Sequence, residues 1–421
     1  VCQSVHHDPE FGFRKERDAV IELASQPETA RLIDLFFMRE KAKKLKIEGV
    51  EAAKIKHPVV IGSGIMGSGI AYWLSSHGYP VMLQDINDDA LAKGIASIER
   101  NYAKAVTRHI MSKADARNNF DRIHATTERI PLYNRDIIIE AAVENMAVKK
   151  QIFTDLVSRC SEDCILATNT SALPIHEIAD VVTNPGRIIG LHFFNPVHSM
   201  PLVEIVCAPT TSDQTLATAL SFVQGIGKLP VIVKDSPGFL VNRILVPYLL
   251  EACRIFATGI DPVSIDEAML DFGMPMGPLR LLDEVGLDIA KHVAETLVNA
   301  FPDRMSLPPL MDEMIEAGYL GRKVGKGFYT YKGDTQEPNP TVLQLRNGRD
   351  LSDESIEEQL AYLMSEEAAL CLDEEIAGSP DDIDFAMVMG TGYAPFRGGP
   401  LDHADATHMM RPDFYPHHHV K

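Results

Sequence analysis

The sequence predicts an α/β protein, with a doubly wound and largely parallel sheet domain followed by a duplicated all-α domain. Three observations carry that expectation. From Pro58 to Val233, short apolar runs of strand length alternate with amphipathic stretches, the pattern of strands laid parallel with helices between them. The first run, Val59-Val60-Ile61, feeds straight into Gly62-Ser63-Gly64-Ile65-Met66-Gly67 and a helical stretch through Ala71 and Leu74, which is the strand, glycine turn and helix of a Rossmann domain. After Asp235-Ser236-Pro237-Gly238 the pattern changes to long helical periodicity and holds a weak repeat. Ile265-Asp266-Glu267-Ala268-Met269 leads to Pro275-Met276-Gly277-Pro278-Leu279, as Ile383-Asp384-Phe385-Ala386-Met387 leads to Pro395-Phe396-Arg397-Gly398-Gly399-Pro400-Leu401.

In chain order, the first 56 residues lack strand patterning and show helical spacing at Ala30, Ile33, Leu35, Phe36 and Phe37, followed by Lys41, Lys43, Lys44 and Lys46. They read as a lead-in helix or linker, with Glu10, Glu16, Asp18 and Glu22 on a solvated face. Strands are expected at 59–61, 81–83, 137–139, 165–167, 188–191, 203–206 and 231–233. The expected domains are a linker over 1–56, a cofactor-binding Rossmann domain over 57–236, a first helical unit over 237–335, a second over 352–402 and a tail over 403–421. The stretch from Gly333 to about Asp353 is polar and contains proline, and so reads as a connecting loop.

A chain of 421 residues has room for two or three domains, and its 45% hydrophobic and 24% charged content is that of an ordinary globular protein. No apolar run approaches the roughly 18 residues of a membrane span. A net charge of −19 argues against non-specific nucleic-acid binding and leaves any anionic ligand dependent on local basic residues. Six cysteines, mostly in apolar segments, suggest buried thiols in a reducing compartment, and Cys160 and Cys164 lack the second pair that a metal site would need. No metal is expected. Asn169-Thr170-Ser171 matches the glycosylation pattern but closes a buried strand run, and His417-His418-His419 reads as a polar tail. Val1 is no initiator methionine and no signal peptide follows it, so the chain reads as a fragment of something longer.

The chemistry is concentrated in a few places. Gly62 permits the tight turn, Gly64 lets backbone approach a pyrophosphate, and Gly67 lets the helix pack closely, with its N-terminus turned to that anion. Asp85, closing the second strand run, is placed to accept from the adenosine ribose hydroxyls and to repel a 2′-phosphate, which selects NAD over NADP. Segment 93–122 carries seven basic residues against three acidic ones, with Arg100, Lys104 and Arg108 on one helical face. That face suits a large anionic carrier, and an ordinary solvated face is the competing reading. His192 emerges at the end of Ile188-Ile189-Gly190-Leu191, where α/β folds place ligands, and a histidine suits removal of an alcohol proton as hydride leaves. Glu204 lies inside the apolar stretch Leu202 to Val206, where a carboxylate is costly unless paired, and His192 is its natural partner. Ser171 and Asn242 are short polar groups able to bond a substrate oxygen, or to serve as caps.

Gly62 to Gly67, Ala142-Val143-Glu144-Asn145, Asn169-Thr170-Ser171, His192-Phe193-Phe194-Asn195-Pro196, Pro237-Gly238-Phe239 and Asn242-Arg243 together resemble the L-3-hydroxyacyl-CoA dehydrogenase family over about residues 57–332. The duplicated helical unit and Ala42-Lys43-Lys44-Leu45 are more similar to the dehydrogenase half of a multifunctional fatty-acid oxidation protein, whose amino-terminal half is an enoyl-CoA hydratase/isomerase. The resemblance implies β-oxidation chemistry, (S)-3-hydroxyacyl-CoA to 3-oxoacyl-CoA with hydride passed to NAD. It makes His192 the general base and Glu204 its partner, with Ser171 and Asn242 on the substrate oxygens. It places the cofactor against Ile65, Met66, Asp85, Ala142, Val143, Glu144, Lys149, Asn169, Ser171 and Asn195, with Lys323 in Gly321-Arg322-Lys323-Val324-Gly325 a further candidate. It also assigns the basic segment to a helical hairpin that clasps CoA. A thiolase subunit is the implied partner in a full-length complex, a homodimer is an open assembly, and the bacterial cytoplasm is the expected compartment, with mitochondrion or peroxisome as alternatives. A dehydrogenase of a small free 3-hydroxy acid and an inactive binding relative are the rival functions. The chain departs from the multifunctional pattern at both ends: the hydratase half is missing, and the resemblance fades after Asp402.

Overall fold

The computed structural model describes residues 9–333, 335–346 and 355–409. Cys2, the His417–His419 tail and residues 347–353 of the connecting loop lie outside them. Eight strands form one sheet: β1 (Pro58–Ile61), β2 (Val81–Gln84), β3 (Ile123–Thr126), β4 (Ile137–Glu140), β5 (Ile165–Thr168), β6 (Ile188–Phe193), β7 (Leu202–Cys207) and β8 (Leu229–Lys234), in the order β3-β2-β1-β4-β5-β6-β7-β8. All neighbours pair in parallel except β6 and β7, which run antiparallel. The order reverses beside β1, so a crevice opens at the carboxyl ends of β1 and β4, where α/β sheets bind ligands.

Alternate residues of the central strands face opposite layers, as a twofold side-chain period requires. Val59, Ile138, Leu166 and Ile188 enter one core, and Val60, Ile139, Ala167 and Ile189 enter the other. The first core continues without a break into Phe239, Leu240, Ile244 and Phe256 of the helical region. Sheet and helices therefore share one apolar interior, which sets the long Val241–Ala257 helix firmly against the ends of the strands.

Five features correct the sequence expectations. Strand β3 was not foreseen. It is an edge strand whose residues are at best half-buried, so it carries no continuous apolar run. The region after Pro237 is not wholly helical, because a hairpin of β9 (Tyr329–Lys332) and β10 (Thr335–Pro338) closes the first unit and occupies the start of the expected connecting loop. Its polar residues hide the strand pattern. The lead-in is two helices, Pro9–Ala24 and Pro27–Lys44, of which only the second buries a side chain, Ala42. The Pro400–Thr407 helix crosses the expected start of the tail and buries Leu401, His403 and Ala404. Finally, the helical periodicity expected directly after Gly238 begins later, since Phe239 has φ of +54° and the helix begins at Val241.

The internal repeat is geometric as well as sequential. Asp266 accepts from the backbone N–H groups of Leu279 and Arg280, at 2.9 and 3.1 Å. Asp384 does the same for Leu401 and Asp402, at 2.8 and 3.0 Å. In each unit a buried aspartate thus caps the helix that follows a proline-glycine turn. The glycines of those turns are required by contact, since a Cβ at Gly277 or Gly399 would lie 2.3 Å from the aspartate's Cβ.

Candidate active site

The glycine turn is built as the sequence reading requires. Gly62 has φ of +96°, and a Cβ there would lie 2.6 Å from the carbonyl oxygen of Ala141 at the end of β4. A Cβ on Gly67 would lie 1.8 Å from the Gly62 oxygen, so the Ile65–Ser76 helix can abut the turn only without a side chain. At Gly64 the corresponding space is open, with nothing within 4 Å. Open space above the N-terminus of a helix is what a pyrophosphate needs, so the residues present fit a dinucleotide. Asp85 accepts from both Ser63 N and Ser63 Oγ at 2.7 Å, and so braces the turn it is meant to serve. Beside it Ile86 is 99% exposed, an apolar side chain that sequence reasoning did not single out. Ile65 and Val143 are likewise exposed around this crevice, while Met66 is half-buried.

His192 and Glu204 are direct cross-strand partners on β6 and β7. Residues directly opposite one another on paired strands project to the same face, so this register is what brings imidazole and carboxylate together. Nδ1 of His192 lies 2.6 Å from Glu204 Oε2. An Nδ1–H donated to the carboxylate leaves Nε2 with its lone pair free to accept a proton. Glu204 is 0% exposed, and its other oxygen accepts from Leu240 N at 3.1 Å and Val241 N at 2.9 Å. Those amides open the Val241–Ala257 helix, which has no side-chain cap of its own. The buried carboxylate is thus satisfied three times over, and the helix dipole favours its negative charge.

Asn242, in the first turn of that helix, donates from Nδ2 to the carbonyl oxygen of Ser171 at 2.8 Å. Ser171 N and Oγ in turn donate to Glu144 Oε1, at 2.7 and 3.0 Å, and Thr170 Oγ1 joins them at 2.6 Å. Burial works to raise the Glu144 carboxyl, but the Lys149 ammonium and the bonds from Thr170 and Ser171 outweigh it and hold the group below its ordinary value. Asn169 Oδ1 accepts from Phe193 N at 2.9 Å, tying the end of β5 to the residue after His192. Asn195 is exposed and precedes a cis peptide bond to Pro196.

Two candidates sit differently from what a direct cofactor contact would suggest. Lys149 is 1% exposed and its ammonium bonds Glu140 at 2.8 and 2.9 Å, with Glu144 at 3.4 Å. Its charge is taken up first by Glu140 and then by Glu144. Lys323 is held by Asp288 at the start of the Leu287–Ala300 helix, and among the described residues nothing joins it to the glycine turn. Glu140 went unnoticed in the sequence, although a carboxylate closing Ile137-Ile138-Ile139 is the same signal that exposed Glu204. It accepts from Lys149, from Ala142 N and from Thr168 Oγ1.

The basic segment forms the Asp88–Thr107 and Lys113–Phe120 helices. A Cβ on Gly94 would lie 2.5 Å from the Ser63 oxygen, so the first of these helices rests directly on the glycine turn. Arg100, Lys104 and Arg108 are exposed. His198, in the loop between β6 and β7, is held below its ordinary value first by burial and then by the charges of Lys228, Lys104 and Arg108. The charges of Lys104 and Arg108 thus reach the loop that follows His192. Among the described residues no helix is long and apolar enough to cross a membrane.

Comparison with known proteins places this geometry in a family. Residues 58–236 match the 3-hydroxyacyl-CoA dehydrogenase NAD binding domain, and residues 238–331 match the C-terminal domain of the same family. A fatty acid oxidation complex subunit alpha of Vibrio parahaemolyticus is 37% identical over 413 residues, which is 96% of this chain. The chain spans 59% of the length of that relative. Among solved structures, (S)-3-hydroxybutyryl-CoA dehydrogenase PaaH1 from Ralstonia eutropha is 40% identical, with a TM-score of 0.63 over 66% of this chain and 100% of its own. The 3-hydroxybutyryl-CoA dehydrogenase from Escherichia coli is 28% identical, with a TM-score of 0.72 over 86% of this chain and 97% of its own. With both domains matched in order and a solved relative covered from end to end, this chain belongs to the 3-hydroxyacyl-CoA dehydrogenase family.

Proposed function

We propose that the chain oxidises (S)-3-hydroxyacyl-CoA to 3-oxoacyl-CoA, with His192 as general base. The observation that carries this reading is the His192–Glu204 pair, because Glu204 fixes the imidazole with one oxygen and the substrate-side helix with the other. NAD, once bound on the glycine turn, supplies the hydride acceptor. Nε2 of His192 takes the hydroxyl proton, and Glu204 stabilises the imidazolium that results. Ser171 and Asn242 hold the hydroxyl and thioester oxygens, and Glu144, itself held by Lys149, keeps Ser171 in place. The crevice closes between the sheet and the helical region, where the Ser171–Asn242 bond spans the two.

The test is consumption of NADH on mixing the chain with acetoacetyl-CoA, run beside free acetoacetate. Turnover of the thioester supports the reading. Turnover of the free acid alone would replace it with a small-acid dehydrogenase, and turnover of neither with an inactive relative. The same assay examines Asp85. A carboxylate about 4 Å from a 2′-phosphate costs roughly 1–4 kcal/mol per unit charge, so kcat/KM should favour NAD over NADP by about tenfold or more. Equal values would remove Asp85 from the ribose.

CoA recognition is assigned to the exposed face of Arg100, Lys104 and Arg108. Reversing two of these charges to glutamate should raise KM for acetoacetyl-CoA steeply at low salt and leave kcat nearly unchanged, and added salt should shrink the difference. An unchanged KM would return the face to ordinary solvation. The relative's name makes it a subunit of a fatty acid oxidation complex, and we extend membership of such a complex to this chain on that basis, with the thiolase partner and bacterial cytoplasm that the sequence resemblance implies.

A further inference from the structure

Arg243 follows Asn242 directly, yet it meets different partners and is 0% exposed. Its Nε lies 2.7 Å from Glu367 Oε1 in the Ile356–Asp373 helix, and its Nη1 lies 2.7 Å from Glu374 Oε2 at the end of that helix and 3.3 Å from Ser236 Oγ. Its guanidinium carbon sits 4.4 Å from the centre of the Phe301 ring, while Nη2 has no hydrogen-bond partner among the described residues. Arg304 backs the two glutamates, 3.5 Å from Glu367 and 2.8 Å from Glu374. Both carboxylates belong to the second helical unit, beyond the residues matched by the family's two domains.

A buried ion pair is weak support for stability, because desolvation offsets most of its attraction, but it is strict about direction. That strictness has an object here. The first turn of the Val241–Ala257 helix is gripped from the sheet side by Glu204 at residues 240 and 241, and from the other side by Glu367 and Glu374 at residue 243. Asn242 lies between the two grips. We propose that Arg243 is a positioning residue through which the second helical unit sets the rotation of this turn, and hence the aim of Asn242. The proposal rests on the reading that Asn242 touches the substrate.

Displacing a bound group by about 1 Å can cost up to a hundredfold in rate. Glu367→Gln, which keeps the shape and a hydrogen bond but loosens the grip, should lower kcat for acetoacetyl-CoA reduction roughly tenfold and leave KM for NADH unchanged. The decisive readout is the cycle with Asn242→Ala. If Glu367 acts through Asn242, adding Glu367→Gln to Asn242→Ala costs little more. If the cluster is merely structural, Glu367→Gln has the same proportional effect in both backgrounds, and the proposal is overturned. It is overturned equally by native kcat in Glu367→Gln. Glu374→Gln, at the outer edge of the cluster, carries the same two outcomes should Glu367→Gln fail to fold. Native kcat in Asn242→Ala would instead remove the reading of Asn242 on which the proposal stands.

Discussion

Replacing His192 with glutamine is expected to lower kcat by about 10²–10⁴ while leaving NADH affinity intact, the range for losing a general base. The structure makes this substitution selective. His192 is buried on β6 and its polar contact is Glu204, so the principal risk of replacing it is a buried carboxylate left without its partner. A glutamine amide can still donate to Glu204, which also keeps its bonds from Leu240 and Val241. The fold and the helical grip should therefore survive, and so should the glycine turn, which is braced by Asp85 and not by His192. What is lost is the free lone pair at Nε2. Turnover and NADH binding, measured by fluorescence on the same preparation, separate the two roles. Near-native turnover would demote His192 to a strand residue with a satisfied ring, and loss of NADH binding together with kcat would point to a collapsed crevice.

Much of this site was legible in the sequence because burial makes chemistry conspicuous. Glu204 inside Leu202 to Val206 announced a partner, and His192 at the end of an apolar run was within reach. The direction of β7 was not read, although the connection at 194–201 is shorter than the dozen or more residues that a parallel crossover needs. Strand β3 was missed because Ile123-His124-Ala125-Thr126 pairs only at an edge and carries a single strong apolar residue. The Glu144–Ser171 contact was out of reach for another reason. It joins the loops after β4 and β5, which become neighbours only when the strand order is known. The same holds for Arg243, whose counter-charges lie more than a hundred positions away along the chain. Aspartates 266 and 384 stood inside a repeat that was recognised, but a repeat of letters does not say which member caps a helix.

Glu204→Gln should be nearly as damaging to kcat as loss of the base, by about 10²–10⁴, although it removes neither the base nor a contact to substrate. The amide oxygen can still accept from Leu240 N and Val241 N, so the helix keeps its cap and thermal stability should change little. The amide nitrogen then faces His192 Nδ1 across the present 2.6 Å contact, and being a donor it requires Nδ1 to accept. The ring proton is driven to Nε2, the atom that must be bare to take the substrate's proton. An imidazolium is also no longer stabilised by a negative neighbour. Glu204→Ala should behave differently, losing activity and also the cap, with a further cost of about 0.5–2 kcal/mol in stability. Comparing the two variants by kcat and by melting temperature divides the roles of the two carboxylate oxygens. The tautomer argument fails if Glu204→Gln turns over at a near-native rate, and the anchoring argument fails if Glu204→Ala melts no lower than Glu204→Gln.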